Sequence, residues 1–292
     1  MVATRQGEDG FDIIKQMTFL AVVIAATFPV LDLATNSVAK RVDGVDPAVC
    51  LSRFQDYPPS KGKLGFPRCL FENPFPPNPK FWLKGVDFSS VSPWNDSYGT
   101  LRAGTLISKR HIVFAAHFPL AKGTRILFTD NDVGTCPCYV GESRRIDGTD
   151  IQIAVLNAEV TPNISPAKIL PDDYAEHIGD GSGLPVVTFN QRELAYLSRI
   201  NCISSNGVSN DAATDEAWKT FGGRIVGGDS GNPAFLLIGN QPILLYCLFS
   251  GGVGHGPSVF HHRMAIQKAM DELCPGYKLE AFDFSKITNL RW

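Results

Sequence analysis

Between residues 99 and 252 the chain alternates short apolar runs with Gly, Asn, Asp and Ser: "GTLRAGTLIS", "HIVFAAH", "TRILFTD", "DIQIAVLN", "LPVVTFN", "PAFLLIG" and "PILLYCLFSGG". Apolar runs of about four to eight residues closed by turn formers predict strands, because Gly, Asn and Asp accept the backbone angles of the turns that follow. Their number predicts a mostly antiparallel β domain, either a pair of barrels or a sandwich. In "DIQIAVLN", Ile151, Ile153 and Val155 fall on one face and Gln152 on the other, the period of two that a strand requires. One stretch has the helical period instead. In "RMAIQKAMDELCPG", Ile266, Ala269, Met270 and Leu273 recur at i, i+3, i+4 and i+7, and Pro275 and Gly276 follow as a stop. This predicts a carboxy-terminal helix docked on the β domain.

Two amino-terminal segments break the β texture. From Met17 to Leu31 the run "MTFLAVVIAATFPVL" carries no charge, and Ser37-Val38-Ala39 follows as a cleavage site of small residues, so residues 1–39 are expected to be a secretory signal. The residues upstream of the run are not basic: Arg5 and Lys15 are outweighed by Glu8, Asp9 and Asp12. The alternatives are an uncleaved membrane anchor through residues 17–31 and a buried amino-terminal helix. Export is the expected localisation, secreted or membrane-anchored. From Asp56 to Lys80 seven prolines hold the backbone extended, and residues 40–84 are read as a proline-rich extension: a linker, a propeptide or a strap over the main domain, residues 85–292.

With 292 residues and 44% apolar composition, a sizeable buried core is expected. The 27 basic and 29 acidic residues nearly cancel, leaving no cationic stripe, so nucleic acid is not an expected partner. Seven cysteines lie beyond residue 39, which suits an oxidising compartment and disulfide bonds, with at least one thiol left over from the odd count. Cys136-Pro137-Cys138 has no second pair at zinc spacing, and adjacent histidines such as His261 and His262 point to opposite faces of a strand. Neither a metal nor a cofactor is expected. No pattern in the chain bears on its oligomeric state.

The candidate chemistry centres on "GRIVGGDSGNP", residues 223–233. A serine hydroxyl is a poor nucleophile at neutral pH and needs a base, and the base needs a third group to orient it. Upstream, "AAH" ends in His117 after an apolar stretch, and Asp150 heads the alternating strand, with Asp147 three residues earlier as the other candidate. In this order, His117, Asp150, Ser230, the segments over roughly residues 85–275 resemble the trypsin/chymotrypsin-like serine protease family, whose "TLIS…AAH", "DIALL"-like and "GDSG" segments they match.

The resemblance implies an all-β fold, a double antiparallel β-barrel of trypsin-like type with a carboxy-terminal helix. It implies a serine endopeptidase acting on protein or peptide substrates without a cofactor: Ser230 as nucleophile, His117 as base, Asp150 as its orienter, and the amides of Gly228 and Ser230 as the oxyanion hole. It further places Ser250, Gly251 and Gly252 beside the specificity pocket, with Ser250 hydrogen-bonded to Asp150. Pro257 to Phe260 would close the pocket, and Arg224, if it points inward at the pocket's base, would favour acidic substrate side chains, the alternative being a solvated side chain. The alternative is a protease-like binding protein without turnover. Phe118, Gln152 and Asn232 depart from the pattern of animal members, which points to a microbial- or viral-type member. Arg224-Ile225-Val226-Gly227-Gly228 also resembles a zymogen cleavage site, but a cut there would sever the loop six residues before its serine, so that reading is a decoy. Asp229 then requires a partner other than a newly cut amino terminus.

Overall fold

The computed structural model describes residues 32–55, 76–97, 100–132 and 134–287. The apolar run Met17–Leu31 and most of the proline-rich stretch lie outside the described residues.

The first sheet comprises β1 (Val91–Ser92), β2 (Trp94–Asn95), β3 (Gly104–Ser108), β4 (His111–Ala115), β5 (Arg125–Thr129), β6 (Thr135–Arg145) and β7 (Ile151–Leu156), in the order β1-β3-β4-β7-β6-β5-β2. β1 and β2 are one strand interrupted at Pro93, which has no N–H to give to a ladder. One half pairs with β3 and the other with β5, so the sheet closes on itself.

The second sheet comprises β8 (Lys168–Ile169), β9 (Pro185–Phe189), β10 (Ala195–Ser204), β11 (Gly207–Ala212), β12 (Pro233–Ile238), β13 (Gln241–Cys247) and β14 (His255–Gly256), in the order β14-β11-β10-β9-β12-β13-β8. It curls back at β14, where the Phe249 N–H beyond β13 donates to the His255 carbonyl (2.9 Å). The result is the double β-barrel expected from the resemblance. One pair departs from the antiparallel rule, since β8 runs parallel to β13.

Barrel strands are apolar on both faces because each face has its own core. On β7, Ala154 and Leu156 point into the first barrel with Phe114 and Phe128, while Ile151 and Ile153 point outward. Outward is still buried: Ile151 and Ile153 meet Val187, Phe189 and Phe235 of the second barrel in a shared core between the two. A third cluster, with Val186, Leu236 and Tyr246, fills the second barrel. Each fully buried aliphatic or aromatic side chain contributes about 1.5–3 kcal/mol, so the shared core ties the barrels firmly.

Residues 32–42 form helix α1. Val38 and Val42 of α1 enter the shared core, so Val38 of the expected cleavage segment is fully buried in the described fold. α2 (Pro47–Cys50) starts with proline at its first turn and is capped by Asp46, whose side chain accepts the Ala48 N–H at 2.9 Å. After α2 the chain lies beside the β9–β10 hairpin: Arg53 N donates to Glu193 O (3.0 Å) and Ala195 N to Leu51 O (3.0 Å). Further on, Trp82 packs on Phe221 (5.0 Å between centroids) and Phe88 on Phe189 (4.8 Å). The described part of the extension is therefore built into the core.

Two short helices, α3 (Tyr174–Ile178) and α4 (Glu216–Lys219), lie on connections. α5 (Arg263–Leu273) is the predicted carboxy-terminal helix, and it inserts Ile266, Ala269 and Met270 into the shared core with Leu273 at its margin.

The expected disulfides find no pair among the described residues: Cys50, Cys136, Cys138, Cys202, Cys247 and Cys274 are all free thiols. Cys136 and Cys138 face the same side of β6 with their sulfurs 3.9 Å apart, which is thiol contact and not a bond. Cys69 lies outside the described residues.

Candidate active site

The pairing of β4 with β7 sets Ala115 opposite Ile151, so the residue that follows β4 meets the residue that precedes β7. Ala116 N donates to the Asp150 carbonyl (2.8 Å), and His117 N to Asp150 Oδ1 (2.8 Å). The ring then aligns on the other oxygen: His117 Nδ1 lies 2.6 Å from Asp150 Oδ2, and His117 Nε2 lies 2.8 Å from Ser230 Oγ. An ionised carboxylate only accepts, so Nδ1 carries the hydrogen and Nε2 is left to accept the serine proton. The Asp150 side chain is 9% exposed and that of His117 40%, so the carboxylate is shielded while the imidazole faces the cleft. Asp147 is exposed in the turn before Gly148 and takes no part.

Ser230 sits on a loop that two glycines shape. Gly228 (φ 102°) and Gly231 (φ 83°) adopt left-handed backbone that other residues resist. At Gly231 an added Cβ would also approach Ala115 N to 3.3 Å. The Gly231 N–H donates to Leu248 O (2.9 Å) and the Leu248 N–H to Asn232 O (2.8 Å), tying the loop to the chain beyond β13. Among the described residues the N–H groups of Gly228 and Ser230 have no protein acceptor, which leaves them available to a ligand oxygen.

Asp229, 6% exposed, finds its partners in the backbone. Its Oδ2 accepts the Val226 N–H (3.0 Å) and its Oδ1 the Gln191 N–H (3.4 Å). Burial pushes its carboxyl up, and these two amides oppose the shift. Asn232 clamps the same turn, with its amide and its side-chain Nδ2 both donating to the Asp229 carbonyl (3.2 and 3.0 Å).

The segment that resembles a zymogen cut is a wall of the site. Ile225, 3% exposed, pairs with Gly252 through Ile225 N to Gly252 O (2.9 Å) and Gly252 N to Ile225 O (3.2 Å). Beside Ser230 opens a pocket of about 200 Å³ lined by Ile225, Val226, Gly227, Leu248, Phe249, Ser250 and Gly251. At Gly251 an added Cβ would come within 3.1 Å of the Ile225 carbonyl, so glycine keeps these walls close together.

Two sequence-based placements need correction. Arg224 is exposed and does not line the pocket; the lining begins at its neighbour Ile225, which is buried and held by Gly252. The pocket walls therefore carry no charge. Ser250 does not bond to Asp150; its Oγ lies 3.4 Å from His255 Nδ1. The group that feels the Asp150 charge is the buried Cys247 thiol at the end of β13, pushed up to about 12 by burial first and by Asp150 second. Gly252 supports the pocket through its pairing with Ile225 and does not line it. Phe249, not singled out from the sequence, is half exposed and stands edge-on to the His117 ring at 5.5 Å.

Among the described residues no three metal-ligating side chains cluster, and no helix is long and apolar enough to cross a membrane. No family model matches the chain, and no curated protein matches it. A solved structure of similar fold is kallikrein-related peptidase 10, 12% identical, with a TM-score of 0.45, covering 64% of this chain and 96% of that one. Nothing about activity transfers from a likeness at that level.

Proposed function

We propose that the protein is a serine endopeptidase working through an acyl-enzyme. The observation that carries the reading is the unbroken contact line from Asp150 Oδ2 through both His117 nitrogens to Ser230 Oγ, at 2.6 and 2.8 Å. In the reaction, Ser230 Oγ attacks the peptide carbonyl as His117 Nε2 takes its proton. The unused amides of Gly228 and Ser230 receive the oxyanion, and His117 returns the proton to the leaving amine. Water then repeats the sequence on the acyl ester, with His117 again as base. Asp150 orients the ring and stabilises its cationic form throughout.

The pocket, whose lining holds no charged residue, supports an uncharged side chain on the residue whose carbonyl is attacked. Its volume of about 200 Å³ exceeds the roughly 150 Å³ that holds a benzene ring. A charged side chain there would be desolvated without a partner. Export through residues 17–31 belongs to the same proposal as its cellular setting.

A fluorophosphonate probe tests the reading. The wild type is expected to label on one serine, and Ser230→Ala to remain unlabelled. A folded wild type that resists the probe would sink the hydrolytic assignment and leave a protease-like binding protein.

A further inference from the structure

Far from the site in sequence, one buried ion pair braces the β9–β10 turn, which is one of the supports of the nucleophile loop. Arg53, 7% exposed, reaches Glu193, fully buried, with Nη1 at 3.2 Å from Oε2 and 3.4 Å from Oε1. The same guanidinium donates to the carbonyls of Val91 (3.5 Å) and Thr129 (3.3 Å) in the first barrel and lies over the Phe54 ring. Glu193 belongs to the second barrel, in the turn between β9 and β10, and holds φ at 55°, where a non-glycine residue is strained. The pair thus fixes that turn in a conformation it would not choose alone.

What the turn supports is the loop of Ser230. Glu193 N donates to Asn190 O (3.0 Å), and Asn190 Oδ1 accepts from Arg192 N (2.9 Å) and Leu194 N (3.1 Å), so the turn is a closed unit. Within it, Gln191 presents its amide to Asp229 Oδ1 and its side chain to the Leu101 carbonyl of the first barrel. Asp229 is flanked by Gly228 and Ser230, whose amides are the two unused donors.

We infer that Arg53, carried on the amino-terminal extension, is a positioning residue for the nucleophile loop, acting through Glu193 and the Gln191 amide on Asp229. The extension is on this view a working part of the protein. The inference rests on the peptidase reading.

Arg53→Met and Glu193→Gln test it, with Arg53→Lys as the conservative variant. The measurements, made at pH 8 where Glu193 is ionised, are the fluorophosphonate labelling rate, kcat and KM on a peptide with an uncharged residue at the cleavage site, and the thermal unfolding profile. Folded Arg53→Met and Glu193→Gln should each lose about tenfold or more in labelling rate and kcat with KM within about twofold. That loss is smaller than the 10²–10³ of a deleted oxyanion donor because the amides shift and do not vanish. Arg53→Lys should recover part of it. Folded variants that label at the wild-type rate overturn the inference while the peptidase reading stands. So does a parallel change in kcat and KM, or failure of both variants to fold, since each reduces the pair to general support of the barrels. A wild type that does not label brings down the reading beneath.

Discussion

Replacing Asp150 by Asn isolates what the carboxylate does, because the two side chains have nearly the same shape. In the native site both oxygens accept, from the His117 amide at 2.8 Å and from Nδ1 at 2.6 Å. Asparagine has one acceptor for these two donors. If its oxygen stays on the backbone amide, its NH₂ faces Nδ1, the ring hydrogen moves to Nε2, and the imidazole now donates toward Ser230 Oγ. The serine proton then has no acceptor. If the amide flips, two N–H donors confront each other at the backbone, at a cost of about 1–3 kcal/mol for the unsatisfied group. The first arrangement should prevail, with a loss near 10⁴ in kcat, about 5 kcal/mol of transition-state stabilisation. Labelling kinetics and peptide hydrolysis would be compared with Asp147→Asn, an exposed control expected to behave as wild type. Retention of activity within tenfold in Asp150→Asn, or an equal loss in the control, would refute the tautomer argument.

Other outcomes follow from the same geometry. A peptide library should be cut after uncharged residues, and Arg224→Ala should leave that profile unchanged; a preference for acidic residues that disappears in the variant would put Arg224 back in the pocket. Gly231→Ala should cost about 1–2 kcal/mol for left-handed backbone, with crowding against Ala115 added, read as a lower urea midpoint. An unchanged midpoint would contradict the loop conformation. Burial raises Glu193 from 4.5 to about 7 against the opposing pull of Arg53. The folded state therefore holds this proton more tightly, and the resulting stability is complete below about pH 4.5, declines as pH rises and is gone above about 7. Melting curves at pH 5 and 8 should show the wild type losing ground to Glu193→Gln, and identical pH slopes for both would count against the shift.

The strands that could be read from the sequence are those buried on both faces. β4, β7, β9, β12 and β13 border two cores each, so nearly every position is apolar and the run announces itself. β6 was missed because it buries Cys136, Cys138 and Val140 while exposing Thr135, Pro137 and Tyr139, and the polar half hides the pattern. β10 is hidden in the same way, whereas β11 offers Val208 as its one large apolar side chain. His117, Asp150 and Ser230 were legible as side-chain types in a familiar chain order. Arg224 was misplaced because counting six residues back from Ser230 does not say which way a side chain faces. The partners of Asp229 were invisible because they are backbone amides, which every residue but proline carries. Arg53 and Glu193 lie 140 positions apart, and no local pattern links them.

The amides that hold Asp229 come with the folded chain itself, so no newly cut amino terminus is needed to hold that side chain. On the hydrolytic reading, the enzyme is armed as soon as it folds. Restraint must then come from outside the loop: delayed folding, separation from targets, or a competitor seated in the cleft. Producing it in a living host should accordingly be gentler with Ser230 replaced than with it intact.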